Sequence, residues 1–314
     1  MNNNKEIAEI LISNGADINA KDDDEWTPLH YAARYNNKET AEILISNGAN
    51  INAKDNKGFF LLHYAAMNNN KEIAEILISN GADINAKDDD EWTPLHYAAR
   101  YNNKETAEIL ISNGADINAK DNKGFSLLHY AAKYNNKEIA EILISNGADI
   151  NAKDDDEWTP LHYAARYNNK ETAEILISNG ANINAKDNKG FFLLHYAAKY
   201  NNKEIAEILI SNGANINAKD NKGFSLLHYA AMNNNKEIAE ILISNGADIN
   251  AKTQNGYIPL HYAAMNNSKE TAEILISNGA DINAKDNKGF SPLYLASRLN
   301  YKKIVEIFNL NKTK

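Results

Sequence analysis

The chain has no cysteine among its 314 residues, which excludes disulfide bonds, thiolate chemistry and cysteine-ligated zinc. It also has no apolar run that approaches the roughly 18 residues of a membrane span. Its first residues, MNNNKEIAEILISNG, have no basic flank and no unbroken apolar core, so they do not form a secretory signal. These absences leave the compartment unidentified but favour the cytoplasm.

Basic residues are the minority among the charged ones. There are 33 Lys and Arg against 42 Asp and Glu, which gives a net charge of -9 at pH 7. Nucleic acids and anionic membranes attract proteins through clustered Lys and Arg, so the composition weighs against both as partners. The apolar share of 43% is too high for a disordered chain, and we therefore expect a folded protein.

The chain is a tandem repeat with a strict step of 33 residues. The glycine of the SNGA motif marks each step, at Gly15, Gly48, Gly81, Gly114, Gly147, Gly180, Gly213, Gly246 and Gly279. A histidine recurs with the same step, at His30, His63, His96, His129, His162, His195, His228 and His261. This period predicts one elongated array: a partial repeat over 1–21, eight full repeats over 22–285 and an atypical closing repeat over 286–314.

Each repeat predicts a helix, a turn, a second helix and a hairpin-like loop. In the first full repeat Thr27 is the expected N-cap, whose hydroxyl would accept a free backbone N–H, and Pro28 suits the first helical position. Asn36 and Asn37 form the turn, and Gly48 ends the second helix in the left-handed conformation. One repeat cannot bury its apolar face alone, so neighbouring repeats have to stack.

The motifs TPLHYAA and SNGADINAK, together with the repeat length, resemble ankyrin repeats over essentially the whole chain. The resemblance implies an all-α solenoid of stacked helix-turn-helix units with projecting hairpin-like loops. It also implies a concave face lined by the loop tips and the first helices.

Two departures from the family pattern bear on the fold. The capping threonine or serine is replaced at three helix starts, by Phe60, Phe192 and Ile258. Because these side chains have no oxygen, each start is expected to lose about 1 kcal/mol. The turn glycine is replaced in three loops, by Glu25, Glu91 and Glu157. Glutamate has a Cβ atom, which puts the same turn geometry in question there.

The two ends of the chain differ from the interior. Residues 1–49 are identical to residues 67–115, so Met1 corresponds to the end of a first helix. We therefore expect the chain to be a fragment, or to be read from an internal methionine. At the other end Tyr294 replaces the histidine and Asn309 replaces an inward isoleucine. Added charge at this closing cap comes from Lys302, Lys303, Lys312 and Lys314.

The histidines do not predict a catalytic or metal site. Successive copies lie one repeat apart, roughly 10 Å on helix-packing distances, which is too far to share one ion. The resemblance implies that each histidine braces adjacent repeats through hydrogen bonds. An enzyme needs unlike residues that converge, whereas every candidate group here recurs at a fixed step. We therefore expect no catalytic residue, no metal and no cofactor.

The acidic loop tips run from Asp22 to Glu25, with copies at 88–91 and 154–157. They lack the spaced ligands, central glycine and distal glutamate of a calcium loop. Two interpretations stay open, which are solvated tips and a surface for a basic partner.

Binding is expected where the copies differ, because stacking explains the residues that they share. Loops of the DDDEW form alternate with loops of the DNKGF form, and Trp, Tyr and Arg are enriched among binding hot spots. The expected partner-binding residues are Asp24, Trp26, Arg34, Tyr35, Lys57, Phe59, Asp90, Trp92, Arg100, Tyr101, Lys123, Phe125, Lys133, Tyr134, Asp156, Trp158, Arg166 and Tyr167. The alternative for the aromatic residues is that they pack beneath their own loops.

The sequence thus predicts a non-catalytic, monomeric scaffold that binds a protein partner on the concave face. A long surface of modest contacts suits an extended, repetitive or basic partner. Two alternatives stay open: a structural spacer without a specific partner, and the repeat region of a larger protein whose other domain lies upstream.

Overall fold

The structure, a computed structural model, describes residues 5–311. Met1, Lys312 and Lys314, which the sequence analysis singled out, lie outside the described residues. Within this part of the chain there are nineteen α-helices and no β-strand. The expected all-α repeat solenoid is therefore confirmed.

The chain divides into two compact halves, residues 1–155 and 156–314. The described helices of the N-terminal half are α1 (Lys5–Ser13), α2 (Pro28–Arg34), α3 (Lys38–Ser46), α4 (Leu61–Met67), α5 (Lys71–Ser79), α6 (Pro94–Tyr101), α7 (Lys104–Ser112), α8 (Leu127–Tyr134) and α9 (Lys137–Ser145). Those of the C-terminal half are α10 (Pro160–Tyr167), α11 (Lys170–Ser178), α12 (Leu193–Tyr200), α13 (Lys203–Ser211), α14 (Leu226–Asn233), α15 (Lys236–Ser244), α16 (Pro259–Met265), α17 (Lys269–Ser277), α18 (Pro292–Arg298) and α19 (Lys302–Asn311).

Within each half the helices form two rows. First helices pack on first helices, as α4 does between α2 and α6, and second helices pack on second helices, as α5 does between α3 and α7. In α2, Leu29, Ala32 and Ala33 are buried, and in α3, Ala41 and Leu44 are buried. The small alanine side chains let neighbouring first helices approach closely, so each repeat covers the apolar face of the next.

The prediction that Thr27 caps α2 with its hydroxyl is wrong. The hydroxyl lies 2.9 Å from Nδ1 of His30, and that same Nδ1 accepts the backbone N–H of Thr27 at 3.0 Å. The imidazole therefore closes the start of the helix. At the next first helix, Nδ1 of His63 accepts the backbone N–H of Phe60 at 3.0 Å. A helix start without a hydroxyl keeps this bond and loses only the contact between hydroxyl and imidazole.

The turn with glutamate in place of glycine keeps its geometry. Glu25, Glu91 and Glu157 adopt φ values of 61°, 62° and 62°, in the left-handed region that a side chain with Cβ disfavours. An ion pair between Glu91 and Lys87, with 3.1 Å between nitrogen and oxygen, accompanies the turn. The left-handed turn expected for glycine is therefore present with glutamate as well, and the backbone of each of these loops is strained.

The two loop forms fit each other where neighbouring loops stack. A Cβ added to Gly58 would lie 2.9 Å from the backbone nitrogen of Asp89 in the next loop, closer than such atoms approach, so this turn favours glycine. The loop that follows a glutamate turn has asparagine where the preceding loop has Asp89. There Asn122 directs its side-chain amide to Asp90 at 3.4 Å, and its backbone N–H donates to the Asp90 carbonyl at 3.2 Å. Neighbouring loops of the two forms therefore contact each other directly, and Gly190 approaches Asn221 of a second DNKGF loop in the same way.

Replacing Glu91 by glycine should stabilise the protein by about 0.5–1 kcal/mol. Glycine relieves the strain of the left-handed backbone, and this gain exceeds two losses. The losses are one exposed ion pair and the greater conformational freedom of the unfolded chain. Urea unfolding at neutral pH measures the change. Gly289→Ala is the reciprocal control. Gly289 has φ 81° with open space around the added Cβ, so this change should destabilise by a similar amount. A Glu91→Gly protein less stable than the parent would show that the ion pair outweighs the strain.

Candidate functional site

An aspartate anchors the loop of nearly every repeat, and the sequence analysis did not assign this role to Asp55. Asp55 is only 3% exposed, and its Oδ1 accepts the backbone N–H groups of Lys57 and Phe59, both at 2.9 Å. Its Oδ2 accepts the phenol of Tyr64 and, at 3.1 Å, the indole N–H of Trp26 in the preceding loop. Burial, together with the bond to Asp55, raises the pKa of Tyr64 above its usual range. The constant spacing between aspartate and tyrosine in successive repeats was the signal for this pair.

The loop aromatics form a ladder with tyrosines of the first helices. Trp92 lies 4.8 Å from Tyr97 of its own repeat and 4.4 Å from Tyr130 of the next, measured between ring centroids. In the C-terminal half, Trp158 lies 4.4 Å from Tyr196. Trp92 and Trp158 are each only 8% exposed, so their indoles support the surface from beneath. This is the packing that the sequence analysis held as the alternative.

The structure sorts the eighteen predicted binding residues by exposure. The exposed ones are Asp24, Arg34, Tyr35, Lys57, Asp90, Tyr101, Lys123, Tyr134, Asp156 and Tyr167. The partly buried ones are Trp26, Phe59, Arg100, Phe125, Lys133 and Arg166. Among them the four tyrosines present the largest aromatic area to solvent, with 41% to 49% of each residue exposed.

Arginines at the ends of the first helices stack on these rings. The Arg100 guanidinium lies 5.5 Å from the Trp92 ring centroid, 5.4 Å from that of Tyr101 and 5.5 Å from that of Tyr134. Arg34 lies 5.2 Å from Trp26 and 5.7 Å from Tyr35. Such cation–π contacts hold a long side chain in one position. The arrangement gives a cationic and aromatic strip along the first helices.

The C-terminal half repeats this arrangement. Arg166 lies 5.5 Å from the ring centroids of Trp158 and Tyr167 and 5.4 Å from that of Tyr200. Lys199 lies 5.4 Å from the Tyr200 ring. Tyr200 therefore joins the candidate surface, at a helix-end position where the repeats differ in sequence. Its role depends on the arginine of the preceding repeat, which a reading of single repeats does not reveal.

Histidines of several repeats link to the next repeat, as the family resemblance implied. In the described part of the chain, Nε2 of His30 and of His96 has no hydrogen-bond partner. The Nε2 atom of His63 lies 2.9 Å from the carbonyl oxygen of Trp92, and that of His228 lies 3.0 Å from the carbonyl oxygen of Tyr257. Because Nδ1 accepts a backbone N–H, Nε2 carries the proton and donates it. Burial lowers the pKa of His63, and it lowers the pKa of both His96 and His228 to about 4. A neutral imidazole is therefore the native form.

The described residues contain no group of three or more His, Cys, Asp or Glu side chains that is arranged to hold a metal ion. In the same part of the chain, none of the helices has both the length and the apolar character needed to cross a membrane.

A family model described as ankyrin repeats (3 copies) matches the chain in six overlapping placements, over residues 1–88, 62–154, 95–187, 128–220, 161–253 and 227–312. No match was found among curated proteins. The placements cover nearly all of the sequence and agree with the paired helices and projecting loops described above. The chain therefore belongs to the ankyrin-repeat family.

Proposed function

We propose that the chain is a protein-binding module that uses the strip formed by the loop tips and the ends of the first helices. Ankyrin repeats are generally protein–protein interaction modules and are typically non-catalytic, which supports this assignment. The observation that carries it is the set of exposed tyrosines, Tyr35, Tyr101, Tyr134 and Tyr167, beside stacked arginines. Exposed Tyr and Arg are the side chains most often found at binding hot spots.

The residues that all repeats share do not account for these tyrosines. Shared residues are used in stacking: the alanines are buried, the loop aspartates hold the loops, and several of the histidines link repeats. The exposed tyrosine is different, because the chain places Asn68, Asn233 and Asn266 at the same position in other repeats. Stacking therefore does not require it, and its presence in adjacent repeats supports a role in binding.

Changing the four tyrosines together to asparagine tests the proposal. Because the chain itself uses asparagine at this position, the variant should fold, which circular dichroism and a urea midpoint verify. We expect the immobilised parent array to enrich a protein from a lysate of its source cell, and the variant to lose it. Each buried tyrosine contact removed from an interface typically weakens binding by about tenfold or more.

A matched control carries Glu42→Gln and Glu108→Gln on the exposed side of the second helices. This control should keep the partner. A partner retained by the tyrosine variant and lost by the control would move the binding surface to the second helices. Absence of any enriched protein from the parent would favour the structural spacer.

A further inference from the structure

We propose that Arg100 and Arg166 each bind a carboxylate on an acidic segment of a partner protein. This inference rests on the function proposed above and assigns the chemistry of the partner. Each arginine sits among three aromatic rings: Trp92, Tyr101 and Tyr134 for Arg100, and Trp158, Tyr167 and Tyr200 for Arg166. All six distances from guanidinium carbon to ring centroid are 5.4 or 5.5 Å.

Neither guanidinium has an acidic partner in the described part of the chain. No carboxylate lies within ion-pair distance of Arg100 or Arg166 among residues 5–311. Stacking over ring faces leaves the five N–H donors of each guanidinium available, and their fork matches a carboxylate with two parallel hydrogen bonds. Because the rings already hold the side chain, little rotamer entropy is lost when an acid binds.

A second cation lies beside each arginine. In the N-terminal half, Tyr134 is approached by Arg100 at 5.5 Å and by Lys133 at 5.6 Å. In the C-terminal half, Tyr200 is approached by Arg166 and Lys199, both at 5.4 Å. Two positive charges around one tyrosine fit a segment that carries more than one acidic residue. The same pairing in both halves indicates a site that is built twice.

The acidic loop tips do not favour a basic partner over an acidic one, because their carboxylates accept hydrogen bonds from groups of the chain itself. Asp90 receives the side-chain amide of Asn122 at 3.4 Å, and Asp156 receives that of Asn188 at 3.2 Å. Asp88 accepts the phenol of Tyr97 at 2.6 Å. Asp90 and Asp156 thus join adjacent loops, whereas the contacts of the Arg100 and Arg166 guanidinium groups within the described residues are with aromatic rings.

The test uses three labelled peptides of equal length, in which serine alternates with glutamate, with glutamine or with lysine. Fluorescence anisotropy measures their binding to the full chain at low and at physiological salt. We expect the glutamate peptide to bind the parent most tightly. Arg100→Gln and Arg166→Gln together should weaken it by roughly tenfold for each arginine that contacts a carboxylate.

Two further variants separate a built site from general charge. Arg298→Gln removes the same charge at the equivalent helix end, where Arg298 is exposed and is followed by Leu299 in place of tyrosine. It should change binding less than twofold, by the small effect typical of an unstacked surface charge. Arg100→Lys keeps the charge and loses the fork, so it should weaken binding almost as much as glutamine does.

Three outcomes would overturn the inference. Equal effects of Arg298→Gln and Arg100→Gln on binding of the glutamate peptide would indicate unspecific attraction. Tighter binding of the lysine peptide would assign a basic partner to the loop tips. A single-stranded oligonucleotide that displaces the glutamate peptide more strongly than unlabelled glutamate peptide does would assign a nucleic acid. The carboxylate assignment can fail while the proposed function stands. If the tyrosine variant loses a captured protein that lacks an acidic segment, the binding surface stands and the carboxylate assignment does not.

Discussion

Acidification from pH 7 to pH 4 should destabilise the protein by about 3 kcal/mol for each of two histidines, His96 and His228. Burial lowers the pKa of both from 6.5 to about 4 in the folded protein. Between these two values the unfolded chain binds a proton that the native imidazole does not bind. Stability therefore falls as the pH falls through this window, and the loss is complete below pH 4, where both states are protonated.

Other histidines add to the same loss. Burial lowers the pKa of His30, His63, His195 and His261 as well, so each favours the unfolded state when it becomes protonated. The lowered pKa of Asp22, which comes first from its hydrogen bond with Tyr31, acts at lower pH. Acid unfolding should thus begin with the histidines, before the carboxylates are neutralised.

Urea unfolding at a series of pH values between 7 and 4 measures this dependence. The variant His96→Gln is the control: it should be less stable at pH 7, because it loses the bonds of the imidazole, but its stability should change less with pH. Proton NMR of the parent should place the His96 titration near pH 4. The explanation is wrong if parent and variant have the same pH slope, or if His96 titrates near 6.5.

Local features of the fold could be predicted from the sequence because each depends on a few neighbouring residues. Left-handed Asn36 and Gly48, the buried Ala32 and Ala33, and the short helices between them all follow from the periodic pattern. The group that caps the helix start at Thr27 could not be predicted, because the Thr27 hydroxyl and the His30 imidazole can each cap it. Only the observed distances show that the imidazole caps the backbone.

Features shared between repeats were less predictable. Trp92 looked like an exposed binding residue, but Tyr97 and Tyr130 from two successive repeats cover its indole. The arginine stacks likewise need two repeats: Arg100 has Tyr134 in the next repeat, whereas Arg34 is followed there by Asn68. A reading that compares single repeats therefore misjudges which side chains are exposed and which rings each arginine contacts.

The second large effect concerns the loop aspartates. Replacing Asp55 by alanine should destabilise the protein by about 3 kcal/mol, because four donors lose their acceptor at a buried site. These are the backbone N–H groups of Lys57 and Phe59, the Tyr64 phenol and the Trp26 indole. Urea unfolding followed by circular dichroism measures the loss of stability. Tryptophan fluorescence should report the local change at Trp26.

The chain supplies the matched control for this change. Thr253 occupies the aspartate position in one repeat, where its hydroxyl accepts the backbone N–H of Tyr257 at 3.2 Å. Asp55→Thr should therefore keep part of the loop and lose roughly half as much stability as the alanine variant, since a hydroxyl retains an acceptor for the turn but does not replace two carboxylate oxygens. Equal losses in both variants would show that the turn bond contributes nothing. A loss below about 0.5 kcal/mol for alanine would show that water replaces the carboxylate and that the aspartates do not hold the loops.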